Sequence, residues 1–106
     1  MQGYQLNFYT QQDRTHANQP LAQWIVETAK GLGLRGATLV GGIEGMGHDG
    51  KIHAINLFDV SDQPIIVTLI VTDEECDRLF QRLTEEKVNV FYTKFEVTFG
   101  TLCAKE

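Results

Sequence analysis

The sequence has little positive charge and no long apolar run, and each shortage excludes a class of protein. Nine lysines and arginines stand against fourteen acidic residues, for a formal net charge of −5. The chain therefore lacks the broad positive field with which proteins attract nucleic acids. No apolar run approaches the roughly 20 residues that a membrane-spanning helix needs, and residues 1–6 show no signal-peptide pattern. The sequence predicts a cytoplasmic protein with no nucleic-acid partner.

Cysteine and serine are also scarce, which bears on catalysis and on metal binding. Cys76 and Cys103 are the only cysteines and have no C-x-x-C spacing, so we expect two free thiols. Ser61 is the only serine, and neither cysteine has a histidine close in sequence to act as its base. Because no nucleophile, acid and base stand out, we predict no enzymatic activity and no catalytic residue. An enzyme whose site is shared between subunits stays open as an alternative.

What the sequence does contain is the periodicity of one small folded domain, covering residues 1–106. The predicted elements are, in order, strand Tyr4–Tyr9, helix Leu21–Leu32, strand Ala37–Val40, a ribbon within Lys51–Val60, strand Ile65–Val71, a helix from Asp73 to about Lys87, and strand Val88–Phe99. This order predicts an α+β fold, a ferredoxin-like split βαβ sandwich whose antiparallel sheet carries two helices on one face. The other face then stays apolar and open, and we expect an oligomer to bury it.

Local signals predict where the two helices begin and end. Pro20 suits the start of the first helix, and Gly33 supplies a residue for its C-terminal cap. The run from Thr72 to Glu75 has the spacing of a capping box at the start of the second helix.

The glycine-dense stretch in the middle of the chain is the main candidate for ligand contact. Residues 45–50 and 31–36 both satisfy G-x-G-x-x-G, but neither run follows a strand and opens a helix, so neither predicts a dinucleotide fold. Two structures stay open for residues 45–50: the tip of a mobile hairpin, and a loop whose N–H groups cradle an anion. Five glycines between Gly41 and Lys51 predict the least ordered internal segment of the free protein, which a ligand then orders.

The histidines raise the alternative of a metal site. His48 and His53 are five residues apart, so they point to opposite sides of an extended ribbon, and no third ligand lies near them. We therefore predict no metal ligand here, and exposed side chains for both residues and for His16. The alternative is a metal-binding or metal-tolerance protein on the same fold that uses His48, His53 and Cys103.

Several segments together resemble an uncharacterised PII-like family, over about residues 4 to 99. They are Pro20–Leu34, Gly36-Ala37-Thr38-Leu39, Gly42-Ile43-Glu44-Gly45-Met46-Gly47, Ile52-His53 and the junction Asp73-Glu74-Glu75. That family is similar to the nitrogen-regulatory PII signalling proteins. The resemblance implies a ferredoxin-like fold, a homotrimer, and ligand sites in the clefts between subunits.

The resemblance also implies where a ligand binds. In PII proteins a strand with G-x-T-V, followed by G-F-G, leads into the T-loop, whose base contacts nucleotide phosphates. The T-loop-like segment here is at about residues 41–62. The ligand-binding residues implied or proposed in this way are Gly36, Thr38, Gly45, Gly47, His48 and Lys51. The expected ligand is a small molecule, with an adenine nucleotide as the candidate, and the expected partner is a membrane transporter or channel.

The chain departs from PII proteins in its cationic residues. His48-Asp49 stands where PII proteins have Arg-Gln, and no glycine-lysine loop occurs between Leu83 and Asn89. Lys51, Lys94 and Arg35 remain as the cationic candidates for an anionic ligand.

Overall fold

A computed structural model describes residues 1–41, 44–46, 52–54 and 63–103, with residues 44–46 and 52–54 described by their backbone alone. Its elements are, in chain order, β1 (Gln2–Gln11), β2 (Thr15–His16), β3 (Gln19–Pro20), α1 (Leu21–Gly31), β4 (Ala37–Gly41), β5 (Glu44–Met46), β6 (Ile52–Ala54), β7 (Pro64–Val71), α2 (Asp73–Glu85) and β8 (Phe91–Thr98). Within these ranges, no helix is long and apolar enough to cross a membrane.

Four of the strands form one antiparallel sheet in the order β4-β7-β1-β8. The chain passes through α1 between β1 and β4, and through α2 between β7 and β8. Each helix therefore crosses over one intervening strand, which is the split βαβ arrangement. The predicted ferredoxin-like α+β fold is confirmed.

The core lies between the helices and one face of the sheet. Burial alternates along β7, where Val67 and Val71 are fully buried while Ile66 and Ile70 are only half-buried. The other large side chains of the core come from both strands and helices: Leu6, Phe8, Leu21, Ile25, Leu69 and Leu79. The nearly continuous apolar run of β7 is thus covered by helices on one face alone.

The start of α2 has the predicted capping box. The Thr72 N–H donates to Glu75 Oε1 at 2.8 Å, and the Glu75 N–H donates to Thr72 Oγ1 at 3.2 Å. Two backbone donors that the first helical turn leaves without a partner are satisfied in this way. The first helix begins directly after Pro20, as predicted.

Both helices end in the same hydrogen-bonded turn, but with different residues at its left-handed position. After α1, Gly33 adopts a φ of 77°, and the Leu34 N–H donates to the Ala29 carbonyl at 3.0 Å. After α2, Lys87 adopts a φ of 57°, and the Val88 N–H donates to the Leu83 carbonyl at 3.1 Å. This is the Schellman pattern, which favours glycine because a Cβ is disfavoured at positive φ.

We therefore expect Lys87→Gly to stabilise the protein and Gly33→Ala to destabilise it, each by about 1 kcal/mol. The two substitutions act on the same position of equivalent turns, so each is the control for the other. Urea denaturation at one fixed protein concentration measures both changes. Equal midpoints for the two variants would contradict this explanation of the helix ends.

Two regions differ from the prediction. Thr15–His16 pairs with Gln19–Pro20 across a turn in which Ala17 and Asn18 both have positive φ; two-residue strands are too short to show periodicity in a sequence. The last strand begins at Phe91 rather than Val88, because the residues before it close α2 and Val88 packs against the core.

His16 is consequently not an exposed loop residue, and that expectation was wrong. Its ring packs edge-on against Trp24 with 4.4 Å between ring centroids. His16 Nε2 also lies 3.1 Å from Glu86 Oε1 at the end of α2. The short ribbon is thus joined to both helices, an arrangement that only the folded chain creates.

Candidate ligand site and the open face of the sheet

Two of the predicted ligand residues lie at the start of an edge strand. Gly36 directly precedes β4, and a Cβ added to it would meet no atom within 4 Å. Thr38 lies on β4 opposite Thr68 of β7 and is exposed. Among the described strands, β7 is the only neighbour of β4. An edge strand of this kind presents backbone N–H and C=O groups to whatever lies alongside it.

The remaining predicted ligand residues belong to the glycine-dense stretch. Gly45 lies on β5, opposite His53 of β6 in a separate two-stranded ribbon. Gly47, His48 and Lys51 lie outside the described residues, as do most of residues 41–62. The structure thus places Gly36 just before β4 and Thr38 on it. The ligand-binding roles of all six residues stay predictions.

The two described cationic candidates already contact the protein. Arg35, next to Gly36, has its Nη2 atom 3.6 Å from Glu75 Oε1 and its guanidinium carbon 4.7 Å from the centre of the Phe99 ring. Lys94 on β8 has its Nζ atom 4.0 Å from the centre of the Tyr4 ring. Arg35 therefore borders the start of β4, whereas Lys94 lies at the opposite edge of the sheet, on the side of the helices.

The cysteines and histidines do not come together in the part of the chain that the structure describes. Burial raises the pKa of the Cys76 thiol above its ordinary value, although the nearby Lys94 ammonium opposes this shift. Cys76 is accordingly a packed, protonated thiol, as expected, and Cys103 is an exposed free one. Among the described residues, no three His, Cys, Asp or Glu side chains are placed to hold a metal ion. Because His48 lies outside them, the absence of a metal site remains a prediction.

The sheet has a second face, which carries neither helix and which we call the open face. Cross-strand partners share a face, and the register places fourteen side chains here: Gln5, Asn7, Tyr9, Gln11, Thr38, Val40, Pro64, Ile66, Thr68, Ile70, Phe91, Thr93, Phe95 and Val97. None of these residues is charged, although the chain has a formal net charge of −5. Phe91, Phe95 and Val40 expose 68%, 53% and 48% of their surface. The open face is thus a neutral, partly aromatic surface.

Thr38 connects the open face with the candidate ligand site. It points to the open face, and it lies on the strand that forms one edge of that face. A second molecule seated on the open face would therefore come close to Thr38 and to the start of β4. Sequence reasoning predicted Thr38 from its motif, but the position of Thr38 at the rim of this face depends on the sheet order.

A groove on the helix side of the molecule was not predicted. It has a volume of about 360 Å³ and lies between Trp24 and Glu27 of α1 and Arg82 of α2. Neither Gly36 nor Thr38 lines it. The groove is open and shallow, and it lies on the side of the sheet opposite the open face.

Comparison with known proteins identifies the family. The chain matches the DUF190 family model, described as Uncharacterized ACR, COG1993, over residues 3–98. It is 30% identical over 96 residues to a UPF0166 protein of Aquifex aeolicus (strain VF5), a match that covers 82% of this chain and 91% of the relative.

Solved structures share the fold. One is the crystal structure of a protein from Thermus thermophilus assigned to PII-like signalling, with a TM-score of 0.65, 24% identity, and coverage of 91% of this chain and 87% of that one. Another is CPII, a nitrogen regulatory PII-like protein from Thiomonas intermedia K12, solved bound to ADP, AMP and bicarbonate, with a TM-score of 0.65, 22% identity, and coverage of 95% and 91%. The chain therefore belongs to the DUF190 (UPF0166) family and has the fold of PII-like signalling proteins.

Proposed function

We propose that this chain is a cytoplasmic, trimeric PII-like regulatory protein and not an enzyme. It binds a small ligand, an adenine nucleotide, in the clefts between subunits, and the bound state controls a partner such as a membrane transporter or channel. The observation that carries the proposal is the position of Thr38, where the motif predicted to bind ligand meets the rim of the open face. The nucleotides bound to CPII, which has the same fold, support the choice of ligand.

The neutrality of the open face supports association between identical chains. Copies of an acidic protein repel one another wherever like charges face each other. Here the charged side chains of β8, Lys94 and Glu96, alternate onto the side of the helices, while Phe95 and Val97 lie on the open face. A chain of 106 residues also buries little surface by itself, so an exposed apolar sheet gains much from a second copy.

The ligand site follows from this assembly. In a trimer built on the open face, the exposed edge of β4 lies beside the next subunit, so Gly36 and Thr38 line a cleft between two chains. Backbone N–H groups of Gly45 and Gly47, the His48 imidazole and the Lys51 ammonium complete the proposed site for an anionic ligand. The turn after α2 supplies no second glycine-rich loop, because residues 83–88 close the helix instead. The residues proposed to bind phosphate therefore lie in the segment after β4.

Regulation requires that the ligand favour one state of the T-loop-like segment over another, since a ligand shifts an equilibrium only by its difference in affinity. We expect hydrogen exchange of residues 41–62 to slow when ADP, AMP or ATP is added.

Gly47→Val should weaken nucleotide binding at least about tenfold, because the valine side chain obstructs close approach of the backbone to the ligand. Light scattering should show the same trimer for this variant as for the unmodified protein.

Gly100→Val is the matched control, because a Cβ at Gly100 meets no atom within 4 Å and the residue belongs to none of the segments predicted to bind the ligand. It should bind nucleotide as the unmodified protein does. Calorimetry measures both affinities. If no adenine nucleotide changes the exchange of residues 41–62, the nucleotide proposal is wrong, whereas an unmodified protein of 11.9 kDa in solution would refute the trimer.

A further inference from the structure

The centre of the open face is polar, although most of the side chains around it are apolar. Asn7 on β1 is only 9% exposed even though neither α1 nor α2 covers this face. The Thr68 hydroxyl donates to Asn7 Oδ1 at 2.8 Å, and Asn7 Nδ2 donates to Thr93 Oγ1 at 3.2 Å. The Tyr9 hydroxyl lies 3.1 Å from the same Thr93 oxygen. We call these four side chains the Asn7 network; it links β7, β1 and β8.

Apolar side chains flank the network on β7, β8 and β4. Ile66 and Ile70 lie on either side of Thr68 on β7, Phe91 and Phe95 on either side of Thr93 on β8, and Val40 lies on β4. An identical chain seated on this face could in principle slide, since apolar contacts are not directional. The polar centre is the part of the surface that distinguishes one arrangement from another.

We propose that the Asn7 network sets the number and relative orientation of the chains that assemble on the open face, an inference that rests on the proposed trimer. A side-chain amide offers four hydrogen-bonding sites and a tyrosine hydroxyl offers up to three. Within the described residues, Asn7 makes three such bonds, with Thr68, Thr93 and, at 3.5 Å, Gln5. Covering the network with Phe95 or Ile70 of another chain would remove its water without replacing the hydrogen bonds.

That loss costs about 1–3 kcal/mol for each polar group left without a partner. The arrangement in which the networks of the chains meet around a shared axis avoids the cost, because polar groups then face polar groups. Shifted arrangements are disfavoured even when they bury as much apolar surface. A single buried asparagine sets register and copy number in coiled coils by the same physics, at some cost in stability.

The test uses two threonines of β8 that accept a hydrogen bond from a β1 amide on opposite sides of the sheet. Thr93 accepts from Asn7 on the open face, whereas Thr98 accepts from Gln2 Nε2 at 3.0 Å on the other side. Thr93→Val and Thr98→Val are therefore a matched pair. We expect Thr93→Val to give more than one oligomeric species, because the centre of β8 becomes apolar and no longer distinguishes the matched arrangement from shifted ones. Thr98→Val should form the same single species as the unmodified protein.

Native mass spectrometry identifies the species, and sedimentation across a concentration series gives the association constants. Asn7→Leu is the second variant and should produce the same mixture, with circular dichroism reporting that both variants are folded. A single unchanged trimer for both Thr93→Val and Asn7→Leu would overturn the inference and leave the trimer standing. Weaker association with no new species would overturn it too, since the network would then stabilise the assembly without determining its arrangement. A monomeric unmodified protein would reject the trimer and the inference together.

Discussion

Replacing Phe95 by aspartate is expected to convert the proposed trimer into monomers of 11.9 kDa. Phe95 lies on the open face and exposes 53% of its surface in the single chain, so the substitution leaves the core of that chain intact. In the assembly, the same position places one unpaired carboxylate from each subunit on a buried apolar surface. Removing an unpaired charge from water costs several kcal/mol per ion. Three such costs exceed what a small interface supplies.

The matched control for this substitution is Thr98→Asp. It adds the same charge to the same strand, but Thr98 points to the helix side, where Lys94 and Glu96 already carry charge. Multi-angle light scattering at micromolar concentration should therefore give a mass near three times 11.9 kDa for the control. A trimer in both variants would show that the open face is not the contact between subunits.

Gly3→Ala is expected to lower the free energy of unfolding by about 3 kcal/mol or more. Gly3 is buried in β1, and a Cβ built on it would lie 2.0 Å from the Val71 carbonyl oxygen and 2.8 Å from Cε1 of Phe99. The obstacle is backbone, which cannot move aside as a flexible side chain can. To make room, β1 would have to separate from the end of β7, directly before the capping box at Thr72. A loss of this size is a large part of the 5–15 kcal/mol that stabilises a typical domain.

Gly100→Ala provides the comparison, because nothing lies within 4 Å of a Cβ at that position. Its free energy of unfolding should change by no more than an ordinary surface substitution causes, about 0.5 kcal/mol. Both variants are measured by urea denaturation at the same protein concentration, because association shifts apparent stability. If Gly3→Ala unfolded at the same urea concentration as Gly100→Ala, the claim that the Val71 carbonyl leaves no room for a side chain at residue 3 would be wrong.

If the proposed assembly is correct, ligand binding and oligomerisation share residues. Thr38 belongs to the motif predicted to bind the ligand and also to the rim of the open face. Substitutions at Thr38 would then affect both properties, whereas Phe95 lies on the far strand of the sheet and Gly47 in the loop segment. Comparing the Phe95→Asp and Gly47→Val variants therefore separates the loss of the interface from the loss of the ligand contact.

The sequence by itself determined the elements whose signals are local. The capping box at Thr72 and Glu75, the start of α1 after Pro20 and the β-branched run of β7 each depend on residues within a few positions of one another, and each was predicted correctly. The order of strands and helices then determined the fold class, because few topologies accommodate that order. Several short segments between Pro20 and Glu75, taken together, predicted the family, and the family match over residues 3–98 confirms it.

Tertiary structure decided whatever depends on residues that are distant in the chain. Strand pairing places Asn7 beside both Thr68 and Thr93, so the polar centre of the open face is built from three strands. No local sequence pattern predicts it. His16 looked like an exposed loop residue until the fold placed Trp24 and Glu86 against it. Gly3 gave no signal of its own, because its importance comes from the carbonyl of Val71, 68 residues later in the chain. Periodicity records which face of an element is buried, whereas the identity of a neighbour across strands depends on register, which is set only when the whole sheet forms.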